Sequence, residues 1–114
     1  MSAREVVYYL DDKGRCPVLE ELDRLTPNER GKILAYISLL EEQGEALRRP
    51  IADYVGDKLY ELRPKAHRVL YFFYVERQVV ILHLFRKKTD RLPEKERQVA
   101  LERMKDIIQR GGIK

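Results

Sequence analysis

The stretch HRVLYFFYVERQVVILHLF, residues 67–85, decides the fold because it holds two long apolar segments separated by one pair of charged residues. Each segment is rich in β-branched and aromatic side chains and predicts a strand. Only Glu76 and Arg77 separate them, so a tight hairpin should join the strands, although neither residue favours the positive φ that such turns prefer. Because nearly every position is apolar, we expect two central strands covered on both faces.

Weaker patterns that precede this hairpin predict two further strands. Residues 58–63, with the sequence KLYELR, form the strand that precedes it. Residues 5–10, with the sequence EVVYYL, form the first strand of the chain, and turn residues follow at positions 11–14.

Three helices are predicted from their start signals. A short helix begins at Pro17, and a longer one follows the sequence TPNE at residues 26–29, which supplies a capping threonine, a proline in the first turn and a capping-box glutamate. Pro93 opens the last helix, and the glycine pair at 111–112 ends it. The order is β-α-α-β-β-β-α. We therefore predict an α+β fold in one domain, residues 1–114, with a small, mainly antiparallel sheet packed by helices.

Composition excludes several classes of protein. No segment approaches the roughly 20 apolar residues of a membrane span, and the N-terminus lacks the layout of a signal peptide. Cys16 is the only cysteine, and no Cys/His cluster has the spacing of metal ligands. There is also no glycine-rich phosphate loop. We expect a cytoplasmic protein that uses no metal and no cofactor.

Charge is segregated along the chain although its net value is only +4. Residues 16–45 contain seven acidic and three basic side chains, whereas residues 63–91 contain eight basic and two acidic ones. Such segregation predicts one surface that faces a polyanion.

Several of these cations should meet at one end of the sheet. In a meander, the start of the third strand lies beside the ends of the second and fourth, so Arg63, Arg68 and residues 86–88 should converge there. A polyanion would relieve their mutual repulsion. The alternative is that Glu61, Asp90 and Glu94 neutralise the group as surface ion pairs.

Other side chains offer weaker candidates for a site. His83 lies among apolar residues in the middle of a strand and is expected to be a packed, hydrogen-bonded histidine, whereas His67 starts a strand beside Arg68. Tyr60 and Tyr71 are the tyrosines expected to reach the basic end, where a ring could stack on a base.

Three motifs occur in order: LYELR at 59–63, HRVLYFF at 67–73 and ILHLFRKKT at 81–89, before a helix introduced by proline. With them the chain resembles the RelE/ParE toxin superfamily, most closely its HigB-like, phage-derived branch. The resemblance implies a RelE-like fold and a toxin of a type II toxin–antitoxin pair. It further implies cleavage of mRNA in the ribosomal A site by attack of a 2′-hydroxyl on the adjacent phosphate, without a metal.

The resemblance also implies roles for individual residues. Arg68 matches a strand arginine that contacts the scissile phosphate, and Arg63 belongs to the same basic group. Lys87 and Lys88 match paired lysines that stabilise the phosphate or transfer a proton, and a lysine acting as base would need a lowered pKa. The expected RNA-binding residues are Lys65, His67, Arg86, Arg91, Tyr60 and Tyr71.

The chain departs from the family pattern at two places. Leu92 precedes Pro93 where a capping Thr or Ser is common, and no tyrosine follows the basic residues. These departures leave the identity of the general acid open.

Two other functions remain open from the sequence. ParE-like relatives share the fold but poison gyrase, and a degenerate member would only bind RNA or its antitoxin. The implied partners are an antitoxin, HigA-like and carrying a helix-turn-helix, together with the ribosome and its mRNA.

Overall fold

The computed structural model describes residues 4–75 and 77–112. Three helices and five strands follow one another along the chain. They are β1 (Glu5–Tyr8), α1 (Pro17–Asp23), α2 (Pro27–Gln43), a 3₁₀ turn (Gly44–Ala46), β2 (Ala52–Gly56), β3 (Leu59–Leu62), β4 (His67–Phe73), β5 (Gln78–Arg86) and α3 (Glu94–Arg110). The predicted α+β class is confirmed, with one strand more than the sequence indicated.

The additional strand is β2, which lies at an edge of the sheet. Its sequence, ADYVG, is short and contains Asp and Gly, which are depleted in strands, so its pattern gave no signal. The strand order is β1-β5-β4-β3-β2, and every neighbouring pair is antiparallel except β1 with β5. The sheet is therefore mainly antiparallel, as predicted.

The β4–β5 hairpin differs from the prediction in its connection. β4 ends at Phe73 rather than at Val75, which is exposed. Pairing stops after Tyr74, whose N–H donates to the carbonyl of Gln78 at 2.8 Å. Arg77 then adopts a positive φ of 67°. A longer connection with one left-handed residue is the next most common hairpin type after the two-residue turn. Glu76 lies outside the described residues.

The central strands are covered on both faces, as their apolar sequences predict. Leu62, Val69 and Tyr71 pack against α1 and α2, and we call this side the α2 face. Leu70 and Phe72 point the other way and pack against α3, which defines the α3 face. No helix in the described part of the chain has the length and apolarity to span a membrane.

The predicted capping box fixes the start of α2. The Glu29 N–H donates to Thr26 Oγ1 at 3.2 Å, and the Thr26 N–H donates to Glu29 Oε1 at 3.1 Å. Glu29 also accepts a hydrogen bond of 2.8 Å from Arg86 of β5. This second contact holds the first turn of α2 against the end of the sheet where β4 begins.

A β-bulge in β5 sets which side chains face which helix. Tyr71 pairs with Ile81, but Leu70 pairs with His83, so Leu82 is the extra residue. Beyond the bulge, Phe85 packs on the α3 face. Residue 86 consequently points to the α2 face and residue 87 to the α3 face.

Candidate functional site

The strand register brings the predicted basic residues to one end of the sheet. Arg68 pairs with Phe85 and His67 pairs with Arg86, while Leu62 pairs with Val69 in the adjacent strand. The ends of β3 and β5 therefore lie on either side of the start of β4, as the meander geometry predicts.

On the α3 face, a buried carboxylate organises the cations. Glu61 is 5% exposed, and its Oε2 accepts a hydrogen bond of 2.5 Å from Arg63 Nη1. Its Oε1 lies 4.0 Å from Arg68 Nε. Lys87 and Arg91 line the same small cavity as Glu61 and Arg68. We name the set Glu61, Arg63, Arg68, Lys87 and Arg91 the α3-face cluster.

Arg68 is a buried member of this cluster. The residue is 6% exposed, and its Nη1 donates to the carbonyl of Lys65 at 3.0 Å and to that of His67 at 2.8 Å. Burial lowers the pKa of the guanidinium from its usual value, and the nearby Arg63 lowers it further. Through its hydrogen bonds to the carbonyls of Lys65 and His67, Arg68 holds the turn between β3 and β4 in place.

Lys87 is the member of the cluster that reaches solvent beside Arg68. Its Nζ donates a hydrogen bond of 3.0 Å to Asp90 Oδ1, and its side chain is 31% exposed. The hydrogen bond and the charge of Lys87 lower the pKa of Asp90. Lys88 and Arg91 are exposed close by, so this side of the cluster presents three cations outward.

The remaining predicted cations lie on the opposite face, which corrects the expectation of a single convergent group. Arg86 Nη2 is 2.8 Å from Glu29 Oε2 of α2. Lys65 and His67 line a cavity of about 410 Å³ beside the first turns of α2, which we call the α2-face pocket. Strand alternation is the cause, because consecutive residues of β4 and β5 point to opposite faces.

The two tyrosines predicted to stack on a base do not lie in the α3-face cluster. Tyr71 is 1% exposed, and its ring stacks on Tyr60 with centroids 5.6 Å apart within the core of the α2 face. Burial raises the pKa of its hydroxyl. Tyr60 is half-buried and lines a groove with Arg48 and Tyr54. The even positions of β3 and the odd positions of β4 face α2, and this removes both rings from the cations of the α3 face.

His83 is a packed histidine, as the sequence predicts. Its Nε2 lies 2.6 Å from Glu96 Oε1, and its ring stacks on Phe85 at 5.3 Å. Burial lowers the pKa of the imidazole, and the hydrogen bond to Glu96 opposes that shift.

The ion pairs weighed as an alternative in the sequence are partly present. Glu61 and Asp90 do pair with cations of the site, whereas Glu94 lies 3.9 Å from Arg97 instead. The organising role of Glu61 was missed, although its position two residues before Arg63 places both on one strand face. No motif or charge pattern indicated Asn28 and Lys32, which line the α2-face pocket.

Within residues 4–75 and 77–112, no group of three or more His, Cys, Asp or Glu side chains is arranged to hold a metal ion. The chemistry available at the site is that of lysine, arginine and carboxylate groups.

The sequence model of the family described as "Phage derived protein Gp49-like (DUF891)" matches residues 20–105, most of the chain. The chain belongs to this Gp49-like family. The match covers α2, the whole β2–β5 meander and most of α3, so it includes every residue of the α3-face cluster. It confirms the resemblance to the phage-derived branch that the three motifs indicated.

Two solved structures share the fold of this Gp49-like protein. Escherichia coli toxin RelE, an arginine double mutant in the free state, superposes with a TM-score of 0.55 at 18% identity, covering 90% of this chain and 99% of that chain. A chain of the toxin–antitoxin complex RelBE2 from Mycobacterium tuberculosis gives 0.54 at 15% identity, covering 75% of this chain and 100% of that one. The RelE-like fold is confirmed. A comparison with the sequences of curated proteins finds no match.

Proposed function

We propose that this Gp49-like protein is the toxin of a type II toxin–antitoxin system and cleaves mRNA on the ribosome. The observation that carries the proposal is the α3-face cluster, in which three adjacent strands bring arginine and lysine side chains to one end of the sheet. The solved structures of the same fold include a RelE toxin and a RelBE2 toxin–antitoxin complex.

The reaction we propose needs no metal. The 2′-hydroxyl oxygen of one nucleotide attacks its own 3′ phosphate and loses its proton, the bond from phosphorus to the 5′-oxygen breaks, and that oxygen gains a proton. The phosphate carries extra negative charge in the transition state, and fixed cations stabilise it.

The cations of the cluster and the adjacent Lys88 divide into two roles. Lys87 and Lys88 reach solvent and are assigned to the phosphate, with the ammonium of Lys87, held by Asp90 at 3.0 Å, as the proton donor to the 5′-oxygen. Arg91 contacts the neighbouring phosphate. Arg63 and Arg68 are mostly buried and contact Glu61. They act as positioning residues that hold the end of the sheet beside Lys87.

The proposed partners follow from the activity. The protein would work in the cytoplasm, where ribosomes present mRNA as a single strand. A HigA-like antitoxin with a helix-turn-helix is the proposed inhibitor.

The test is induction of the protein in cells, followed by mapping of mRNA 5′ ends during growth arrest. Cuts within translated codons should appear with the wild type and be lost in the double variant Lys87→Ala, Lys88→Ala. Lys105→Ala, an exposed lysine near the far end of α3, is the matched control and should cut normally. Intact mRNA accompanied by DNA breaks would refute the proposal in favour of a gyrase poison. Unimpaired growth with neither lesion would indicate a degenerate member.

A further inference from the structure

The α2-face pocket is separate from the α3-face cluster but opens at the same end of the sheet. It encloses about 410 Å³ between the first turns of α2 and the β3–β4 turn at residues 64–67. This volume falls within the range of pockets that hold small ligands. Asn28, Glu29 and Lys32 supply the helical side of its lining.

His67 is the buried polar group that faces into this pocket. The residue is 4% exposed, and its ring lines the pocket, where its polar edge is open to a ligand. Burial lowers the pKa of His67, and Arg86 lowers it further, so the imidazole is neutral near pH 7. A neutral imidazole offers one donor and one acceptor, which suits the edge of a nucleobase.

The rim of the pocket carries two exposed lysines, one from each wall. Lys32 stands on α2, and Lys65 projects from the β3–β4 turn, where it adopts a positive φ of 54°. Arg86, the neighbouring cation, is already paired with Glu29 at 2.8 Å. Lys32 Nζ lies 5.7 Å from the centroid of the Tyr36 ring, and neither Lys32 nor Lys65 forms an ion pair with a carboxylate in the described part of the chain, so both ammonium groups can reach a phosphate group.

We propose that the α2-face pocket binds one nucleotide of single-stranded RNA, with the base against His67 and Asn28 and the adjoining phosphates on Lys32 and Lys65. The inference rests on the proposed function and extends it. Since residues 67 and 68, like residues 86 and 87, point to opposite faces, an RNA strand that passes the end of the sheet meets the pocket and the cluster in turn.

A short single-stranded RNA with 2′-O-methyl groups is the probe, because it lacks the hydroxyl needed for cleavage. When this RNA is titrated into the full chain, the ring signals of His67 should shift in NMR spectra. Those of His83, which is held by Glu96, should not move. The double variant Lys32→Gln, Lys65→Gln should bind about tenfold more weakly and reduce the slope of log K against log salt by about 1 to 2. Lys105→Gln should match the wild type.

The same variants are then measured for binding to programmed ribosomes, and this second arm identifies the source of the nucleotide. A loss with both the oligonucleotide and the ribosome assigns the pocket to the mRNA strand, and a loss with the ribosome alone assigns it to ribosomal RNA. Wild-type affinity of the lysine variant in both arms, or a His67 ring that does not respond in either, overturns the proposal. A wild-type protein that binds neither RNA nor ribosomes overturns it as well.

The cleavage proposal and the pocket proposal can be refuted independently of each other. If mRNA stays intact in cells while oligonucleotide binding depends on Lys32 and Lys65, the pocket stands and the cleavage proposal falls. If mRNA is cut and these lysines have no effect on binding in either arm, the reverse holds.

Discussion

Arg68 donates a hydrogen bond of 2.8 Å from its guanidinium back to the carbonyl oxygen of His67, its own neighbour in β4. The same nitrogen donates to the carbonyl of Lys65 at 3.0 Å. A cation on the α3 face thereby holds the turn from which two residues reach the pocket on the α2 face. The two faces of this sheet end are joined through one side chain.

Replacing Arg68 should therefore destabilise the fold. Arg68→Ala leaves two buried carbonyls and part of the Glu61 carboxylate without their donor, and we expect the free energy of unfolding to fall by about 2 to 4 kcal/mol. Urea unfolding measures the change. Arg24→Ala removes an exposed arginine from an i,i+3 pair and should change stability by less than about 0.5 kcal/mol. Equal values for the two variants would show that the hydrogen bonds of Arg68 contribute nothing.

Glu61 and Arg68 should be energetically coupled. The buried carboxylate of Glu61 is shared between Arg63 and Arg68, so removing Glu61 or Arg68 leaves the other with a less well paired charge. In a double-mutant cycle of Glu61→Gln and Arg68→Met, we expect a coupling energy of about 1 kcal/mol or more. Additive effects of the two substitutions would contradict the shared-carboxylate geometry.

Stability should decrease as the pH falls below about 6.5. Burial lowers the pKa of both His67 and His83 from 6.5, so each remains neutral in the folded state while the unfolded chain takes up protons. The unfolded state then binds more protons, and the free energy of unfolding decreases from pH 7 toward pH 5. Urea unfolding at several pH values should show a smaller slope in the double variant His67→Gln, His83→Gln. An unchanged slope in that variant would rule out the histidines as its origin.

The Tyr9 hydroxyl should stabilise the attachment of α3 to the sheet. It donates a hydrogen bond of 2.6 Å to Asp106 Oδ2, and burial with this bond raises the pKa of Tyr9 to about 12. Tyr9→Phe should cost about 1 kcal/mol, since Asp106 keeps its pair with Arg110. A spectrophotometric titration should also lose one tyrosine of high pKa.

Tyr54→Phe is the matched control for Tyr9→Phe. The Tyr54 hydroxyl accepts from the Lys58 N–H at 3.2 Å, but the ring is more than half exposed. Its loss should change the free energy of unfolding by less than about 0.5 kcal/mol. A larger effect at Tyr54 than at Tyr9 would contradict the assignment of Asp106 as a stabilising partner.

The elements with strong local signals could be predicted from the sequence. The apolar runs of β4 and β5 and the capping box of α2 are encoded within a few residues, and the structure places all three where the patterns indicate. β2 could not be predicted because it is an edge strand stabilised by pairing with β3, and that pairing leaves no periodic pattern in five residues.

The sequence predicted at which end of the sheet the site lies, but it did not predict the face on which every residue of the site lies. Alternation within β4 separated His67 from Arg68 correctly. The faces of Arg86 and Lys87, however, depend on the bulge in β5, which the sequence does not reveal. The burial of Tyr71 follows from alternation within β4, since Tyr71 shares the α2 face with Val69.

The bulge at Leu82 determines the faces of Arg86 and Lys87 as well as the local twist of β5. If β5 kept all its residues but paired with β4 without the bulge, every later side chain would point to the opposite face, so that Arg86 would join Glu61 and Lys87 would face Glu29. The identity of the cation on each side of the protein is therefore a matter of counting residues between two strands. Deleting Leu82 itself would remove the bulge and leave each cation on its present side, because Ile81 and His83 already oppose Tyr71 and Leu70.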